Sequence, residues 1–197
     1  VGDKANDAIR VDGANVRAKV VGEGANLGVT QKGRIEFARN GGRINTDAVD
    51  NSAGVDTSDH EVNIKILLAD VIGSGALKAD ARDKLLESMT DEVGALVLVD
   101  NYDQTGALTI AQASAAFDLD SHERLIQRLE QSGKLSRRVE GLPLTGEFAA
   151  LRQAKLGLTR PELSKLLAYA KIDLFDALAV SKAPDDPAFV EPLKCYF

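Results

Sequence analysis

Two short clusters of small and amide residues could build a binding site: Gly24-Ala25-Asn26 and Asn51-Ser52-Ala53-Gly54. Small residues let a flat ring approach the backbone, and each asparagine offers a donor and an acceptor without charge. That chemistry suits an amide such as a nicotinamide carboxamide, and it suits ribose hydroxyls. The same residue types also simply make loops, and both readings stand on chemistry alone. Gly22-Glu23-Gly24 is half of a G-x-G-x-x-G fingerprint. Leu27 occupies the third glycine's place, so a pyrophosphate cradle is not expected here. Asp56, Asp59, His60 and Glu61 invite a metal reading. However, His60 and Glu61 are adjacent on an expected helix and point in different directions. Acids in a first helical turn meet the macrodipole favourably, which accounts for them, and His122 lies among similar residues. No metal site is expected.

These clusters need elements to hold them. Residues 16–22 alternate apolar and polar before a glycine loop, which predicts a strand. Residues 30–40 read as a short helix closed by Gly41 and Gly42, and residues 43–49 as a second strand-like run. Two strands separated by a helix predict a parallel crossover, with ligands expected at the carboxyl ends of the strands. Ser58 and Glu61 have capping-box spacing, which predicts a buried helix over 58–72. Helices are then predicted over 78–88, 90–117, 121–132, 146–156 and 161–181. Asp120 with Glu123, and Thr159 with Glu162, give two further capping-box spacings. In the last of these helices, Leu163, Leu166, Leu167, Ala170, Leu174 and Leu178 form one apolar stripe, read as core.

Composition narrows the classes. Of 197 residues, 44% are hydrophobic and 27% charged, and the net charge of −6 is spread rather than clustered. A nucleic-acid partner is therefore not expected. No apolar run approaches the roughly 20 residues of a membrane span, so no membrane partner is expected either. Cys195 is the only cysteine, which fits a reducing, cytoplasmic setting. The chain starts at Val1 and its only methionine is Met89, so it reads as part of a longer protein.

The stretch "GEGANLGVTQKGRIEFARNGGRINTDAVDNSAGVDTSDHEVNIKILL" resembles the large NAD-specific glutamate dehydrogenases of bacteria. The likeness extends from "VGDKANDAIR" through "DNYDQT" to "GLTRPELSKLLAYAKIDLFDAL" and so covers nearly the whole chain. A weaker likeness ties Glu23–Asn26 to the "EGAN" motif of the small glutamate dehydrogenases. It also ties Asn51–Val55 to their "NAGGV", with Ser52-Ala53 in place of Ala-Gly and the following serine falling on Ser58. The resemblance implies NAD as cofactor, with Asn26 and Asn51 beside the nicotinamide and its ribose; Gly24 and Ala25, as small residues that let the ring approach, complete the expected cofactor-binding set. It implies Val55 and Ser58 at the glutamate side-chain carboxylate. None of Lys4, Lys19 or Lys32 sits in the family's catalytic-lysine motif, so no catalytic residue is assigned. That lysine, its aspartate and the phosphate-binding glycines are expected in segments preceding this chain.

The expected fold is α/β followed by mostly α: the C-terminal part of a Rossmann-like parallel sheet, then a helical region. Residues 1–56 are read as the end of the NAD-binding domain, 57–75 as a connecting helix and 76–197 as the helical region. The expected reaction of the parent converts L-glutamate, NAD and water to 2-oxoglutarate, ammonia and NADH. The remainder of the parent chain is an implied partner, and the full-length protein is expected to be a homo-oligomer. The alternative is a non-catalytic helical segment used in assembly.

Overall fold

The computed structural model describes residues 7–24 and 28–196. Their elements are β1 (Val20–Val21), α1 (Gln31–Arg39), β2 (Arg43–Ile44), α2 (Asp47–Asp50), α3 (Ser52–Gly73), α4 (Arg82–Ser114), α5 (Leu119–Gln131), α6 (Arg137–Glu140), α7 (Thr145–Ala154), α8 (Arg160–Ala179) and α9 (Val190–Tyr196). The chain divides into two compact units. One comprises residues up to Asp50 together with Gly106–Asp173; the other comprises Asn51–Thr105 and Leu174 onward.

The expectation of a Rossmann-like sheet is overturned. Among the described residues there is one two-stranded sheet, with Val20 opposite Arg43 and Val21 opposite Ile44 in parallel. Two residues per strand cannot form a sheet that helices cover on both faces. The alternation that suggested longer strands is used otherwise. Ahead of β1, residues 13–15 make a 3-10 turn. After β2, the carbonyl of Thr46 accepts from the N–H groups of Val49 and Asp50, each at 3.1 Å, and turns the chain into α2. The architecture is mostly helical.

In the first unit, α1 starts where Thr30 places its hydroxyl under the Gly33 N–H (3.1 Å), an N-cap of the ordinary kind. Its Phe37 is buried against Gly42, where an added Cβ would lie 2.3 Å from the ring. The main core gathers Val49, Leu108, Ala115, Leu119, Ile126, Leu129, Leu135, Phe148, Leu158, Leu163 and Leu166. Helix α5 supplies Leu119, Ile126 and Leu129 from one face, as a 3.6-residue period requires. The Thr159–Glu162 signal marks the start of α8: the Glu162 carboxylate accepts from the Thr159 N–H (2.7 Å) and hydroxyl (2.6 Å). The Asp120–Glu123 spacing is no cap. Asp120 already lies inside α5, and both carboxylates pair with Arg152.

The second unit corrects three expectations. Helix α3 begins at Ser52, not at 58, with Asn51 in the N-cap position. Ser58 is therefore in its interior, its hydroxyl directed at the Gly54 carbonyl (3.4 Å), while Thr57 donates to Ala53 (2.7 Å). Such back-bonding satisfies a hydroxyl inside a helix, so serine followed three residues later by glutamate was a false start signal. Nor is α3 buried all round. His60, Ile64 and Leu68 are buried, whereas Val62, Ile66 and Leu67 are exposed. The two helices expected over 78–88 and 90–117 are one continuous α4, because Thr90 turns its hydroxyl back on the Leu86 carbonyl and does not break the ladder. In α8, Leu163 and Leu166 are buried in the first unit, while Leu174 and Leu178 in the second are exposed. No helix among the described residues is long and apolar enough to cross a membrane.

Candidate functional site

Glu23, just after β1, is bonded to Gly28, Val29 and Arg34. Glu23 is buried, and one carboxylate oxygen accepts from the N–H groups of Gly28 (3.0 Å) and Val29 (2.9 Å). Its other oxygen accepts from Arg34 Nε at 2.6 Å, with Arg34 itself 3% exposed. Burial alone would raise the Glu23 carboxyl. The Arg34 guanidinium and the two backbone donors outweigh it and hold the group below the usual carboxylate range. The Glu23 N–H in turn donates to Asp50 Oδ2 (2.9 Å).

Asp50 links Glu23 to the end of β2. Its other oxygen accepts from Asn45 Nδ2 (2.7 Å), and Asn45 Oδ1 accepts from Arg160 Nε. Arg160 reaches further, to Thr109 on α4 (3.0 Å). Burial pulls the Arg160 guanidinium below its ordinary value, against the opposing charge of Asp50. The loops at the carboxyl ends of β1 and β2 are thus tied into one polar chain: Arg34, Glu23, Asp50, Asn45, Arg160. Sequence reasoning missed these positioning residues. Glu23 was visible as a charge inside a glycine-rich turn, but its partner Arg34 and the distant Arg160 carried no spacing signal.

Gly24, next to Glu23, is exposed, while Ala25 and Asn26 lie outside the described residues. Asn51, Val55 and Ser58 belong to the second unit. Asn51 uses its carbonyl to accept from the Gly54 N–H (3.0 Å), and its side-chain oxygen lies 2.9 Å from where a Cβ at position 54 would sit. Glycine there leaves room for the Asn51 amide over the helix start. Val55 and Ser58 are both exposed and three residues apart, which puts them on one side of α3. Ser52 donates to Asn101 and accepts from Gln104 Nε2 (2.9 Å), fixing the start of α3 against α4. Helix α3 also places Asp56 and His60 beside Asp100 of α4, three residues each offering a ligand atom within 4.8 Å of the others. Sequence spacing could not show it, since Asp100 comes from another helix.

The concavity of about 330 Å³ in the first unit is lined by Ala116, Phe117, Asp120, Arg152, Lys155 and neighbours, and holds none of the candidate residues. Arg152 there is matched by Asp120 and Glu123, which raise its guanidinium further.

The family model described as bacterial NAD-glutamate dehydrogenase, catalytic domain, matches residues 1–111. The chain belongs to that family. A second family model, glutamate dehydrogenase C-terminal, matches residues 155–197. The NAD-specific glutamate dehydrogenase of Pseudomonas aeruginosa is 53% identical over 197 residues, and that of Mycobacterium tuberculosis 51% over the same length, all of this chain in each case. The protein of that name in Halomonas elongata is 50% identical over 190 residues, 96% of the chain. The chain spans 12% of the length of each of these relatives.

Proposed function

We propose that this chain is the portion of a large NAD-specific glutamate dehydrogenase that presents the nicotinamide-side loop and the substrate-side helix. The observation that carries the reading is the identity of 50–53%, across essentially the whole chain, to proteins bearing that name. The reaction is L-glutamate + NAD⁺ + H₂O → 2-oxoglutarate + NH₄⁺ + NADH + H⁺. The cofactor supplies the hydride acceptor, and the protein supplies orientation and electrostatics.

Within this chain, Gly24, Ala25, Asn26 and Asn51 are assigned to the nicotinamide and its ribose. The bonds from the Gly28 and Val29 N–H groups to Glu23 and the room left for the Asn51 amide by Gly54 support that assignment. Val55 and Ser58 are assigned to the glutamate side-chain carboxylate. Their exposure on one side of α3 leaves them accessible to a ligand. No residue of this chain is assigned to proton transfer, and residues 1–56 are read as the cofactor-side part, with a cytoplasmic setting. The apolar side chains exposed on α3 and α4 support contact with the rest of the parent chain or with a second copy of it. Nothing favours a role in assembly alone.

Steady-state kinetics of the full-length parent carrying Ser58→Asp tests the reading. A carboxylate at position 58 repels the glutamate carboxylate, so kcat/KM for glutamate drops at least tenfold while KM for NAD is unchanged. Wild-type glutamate kinetics in that variant would remove Ser58 from the site. Absence of glutamate-dependent NADH formation by the parent itself would remove the function.

A further inference from the structure

We propose that Asp56, His60 and Asp100 form a binding site for one divalent transition-metal ion, of which Zn²⁺ is the best fit. Asp56 and His60 are four residues apart on α3, so both side chains leave the same side of the helix. Asp100 meets them from α4. One ligand atom of each lies within 4.8 Å of the other two, and His60 Nε2 is 4.0 Å from Asp56 Oδ1. Around a tetrahedral ion with donor bonds of about 2.0–2.2 Å, donors stand roughly 3.4 Å apart. Closing that difference takes small torsional adjustments of two short aspartate side chains.

The donor set selects among ions. One imidazole nitrogen with two carboxylate oxygens is a mixed set that borderline divalent ions accept, whereas Ca²⁺ and Mg²⁺ take oxygen donors and more of them. A neutral imidazole and two carboxylates carry a charge of about −2 that the ion cancels, which removes the repulsion between the two acids. The imidazole is 1% exposed and held in place by packing, while both aspartates are half-buried and leave the remaining coordination positions to water. The frame is fixed nearby: one turn before Asp56, Ser52 is bonded to Asn101 and Gln104, the neighbours of Asp100. A bound ion clamps α3 to α4 inside the second unit. The inference does not depend on the dehydrogenase reading.

The test is calorimetric titration of the complete chain, stripped of metal with a chelator, using Zn²⁺, with Mg²⁺ and Ca²⁺ as controls. One Zn²⁺ binds per chain, and the controls bind at least tenfold more weakly. His60→Gln and Asp100→Asn each weaken Zn²⁺ at least tenfold with unchanged circular dichroism. The sequence has two histidines, so imidazole nitrogen shifts, assigned with His122→Gln, give an independent readout in the unmodified chain: His60 shifts on adding Zn²⁺ and His122 does not. That readout decides the matter even where a substitution unfolds the protein. No saturable binding, binding untouched by Asp100→Asn in a folded chain, or a shift at His122 in place of His60 overturns the proposal and leaves the cluster a metal-free packing of a histidine with two aspartates.

Discussion

The two units bury their apolar and charged residues to different extents. In the first, Phe148 and Ile126 are fully enclosed, and even the charges of Glu23 and Arg34 are drawn inside and paired. In the second, Val62, Ile66, Leu67, Leu98 and Val99 stand in solvent, and the ordered interactions are hydroxyl and amide bonds between two helices. A region that buries charge has enough surrounding structure to satisfy it. A region that exposes leucine and isoleucine on consecutive turns has apolar surface to spare for another body. The first unit pairs the charges it buries, and the second leaves apolar helix surface exposed.

Substitutions can sharpen that contrast or break it. The largest effect is expected at Phe148, where truncation to alanine should cost about 3–5 kcal/mol in denaturant melts. A loss below 1 would mean that the first unit lacks the packed core described. Next comes Glu23→Gln, which leaves the Arg34 guanidinium buried beside an uncharged amide and should cost about 1–3 kcal/mol. This site also carries a pH signature. The folded Glu23 carboxyl lies below its ordinary value, so the unfolded chain binds its proton at higher pH than the folded one. Its contribution is complete above the ordinary carboxylate range and is lost as pH falls through the lowered folded value. Glu23→Gln should flatten part of that acid slope, and an unchanged slope would place the linkage elsewhere.

In the second unit, Ser52→Ala removes a hydroxyl bonded to Asn101 and Gln104 and should cost roughly 1 kcal/mol. The smallest effect is expected for Leu98→Ala, within about 0.5 kcal/mol, because Leu98 is 70% exposed. A cost comparable to Phe148→Ala would show that the second unit hides its own core in solution.

Much of the helical plan was legible because period and caps agree. The stripe of α8 put Leu163 and Leu166 in the core, and Thr159 with Glu162 marked its start. Two kinds of signal failed. The short run over 43–49 reads as strand-like, but the bonds to the Thr46 carbonyl turn its second half into α2. Serine three residues before glutamate also failed at Ser58, because a hydroxyl inside a helix can bond back to the preceding turn. Gly24 and Asn51 were marked out by type and by resemblance. The bracing by Arg34 and Arg160 was not, since it joins residues far apart in the chain, and only folding brings them together.

The first unit takes its core from both sides of the segment 51–105. Val49 shares that core with Leu108, Phe148 and Leu163, and Gln31 donates to the Pro161 carbonyl (3.1 Å). This ordering bears on biosynthesis. The nascent residues up to 50 emerge before their core partners in residues 106–173 exist, and translation at about 5–20 residues per second sets how long they wait. Closing so long a loop adds little entropy cost, since the cost grows only with the logarithm of its length. The burden is the delay, during which Val49 lacks the core residues it packs with and stays open to chaperone capture. Ribosomes stalled near residue 111, where the catalytic-domain match ends, would hold a chain still lacking Phe148, Leu163 and Arg160. Protease resistance of the first fifty residues should therefore appear only once α8 has been made.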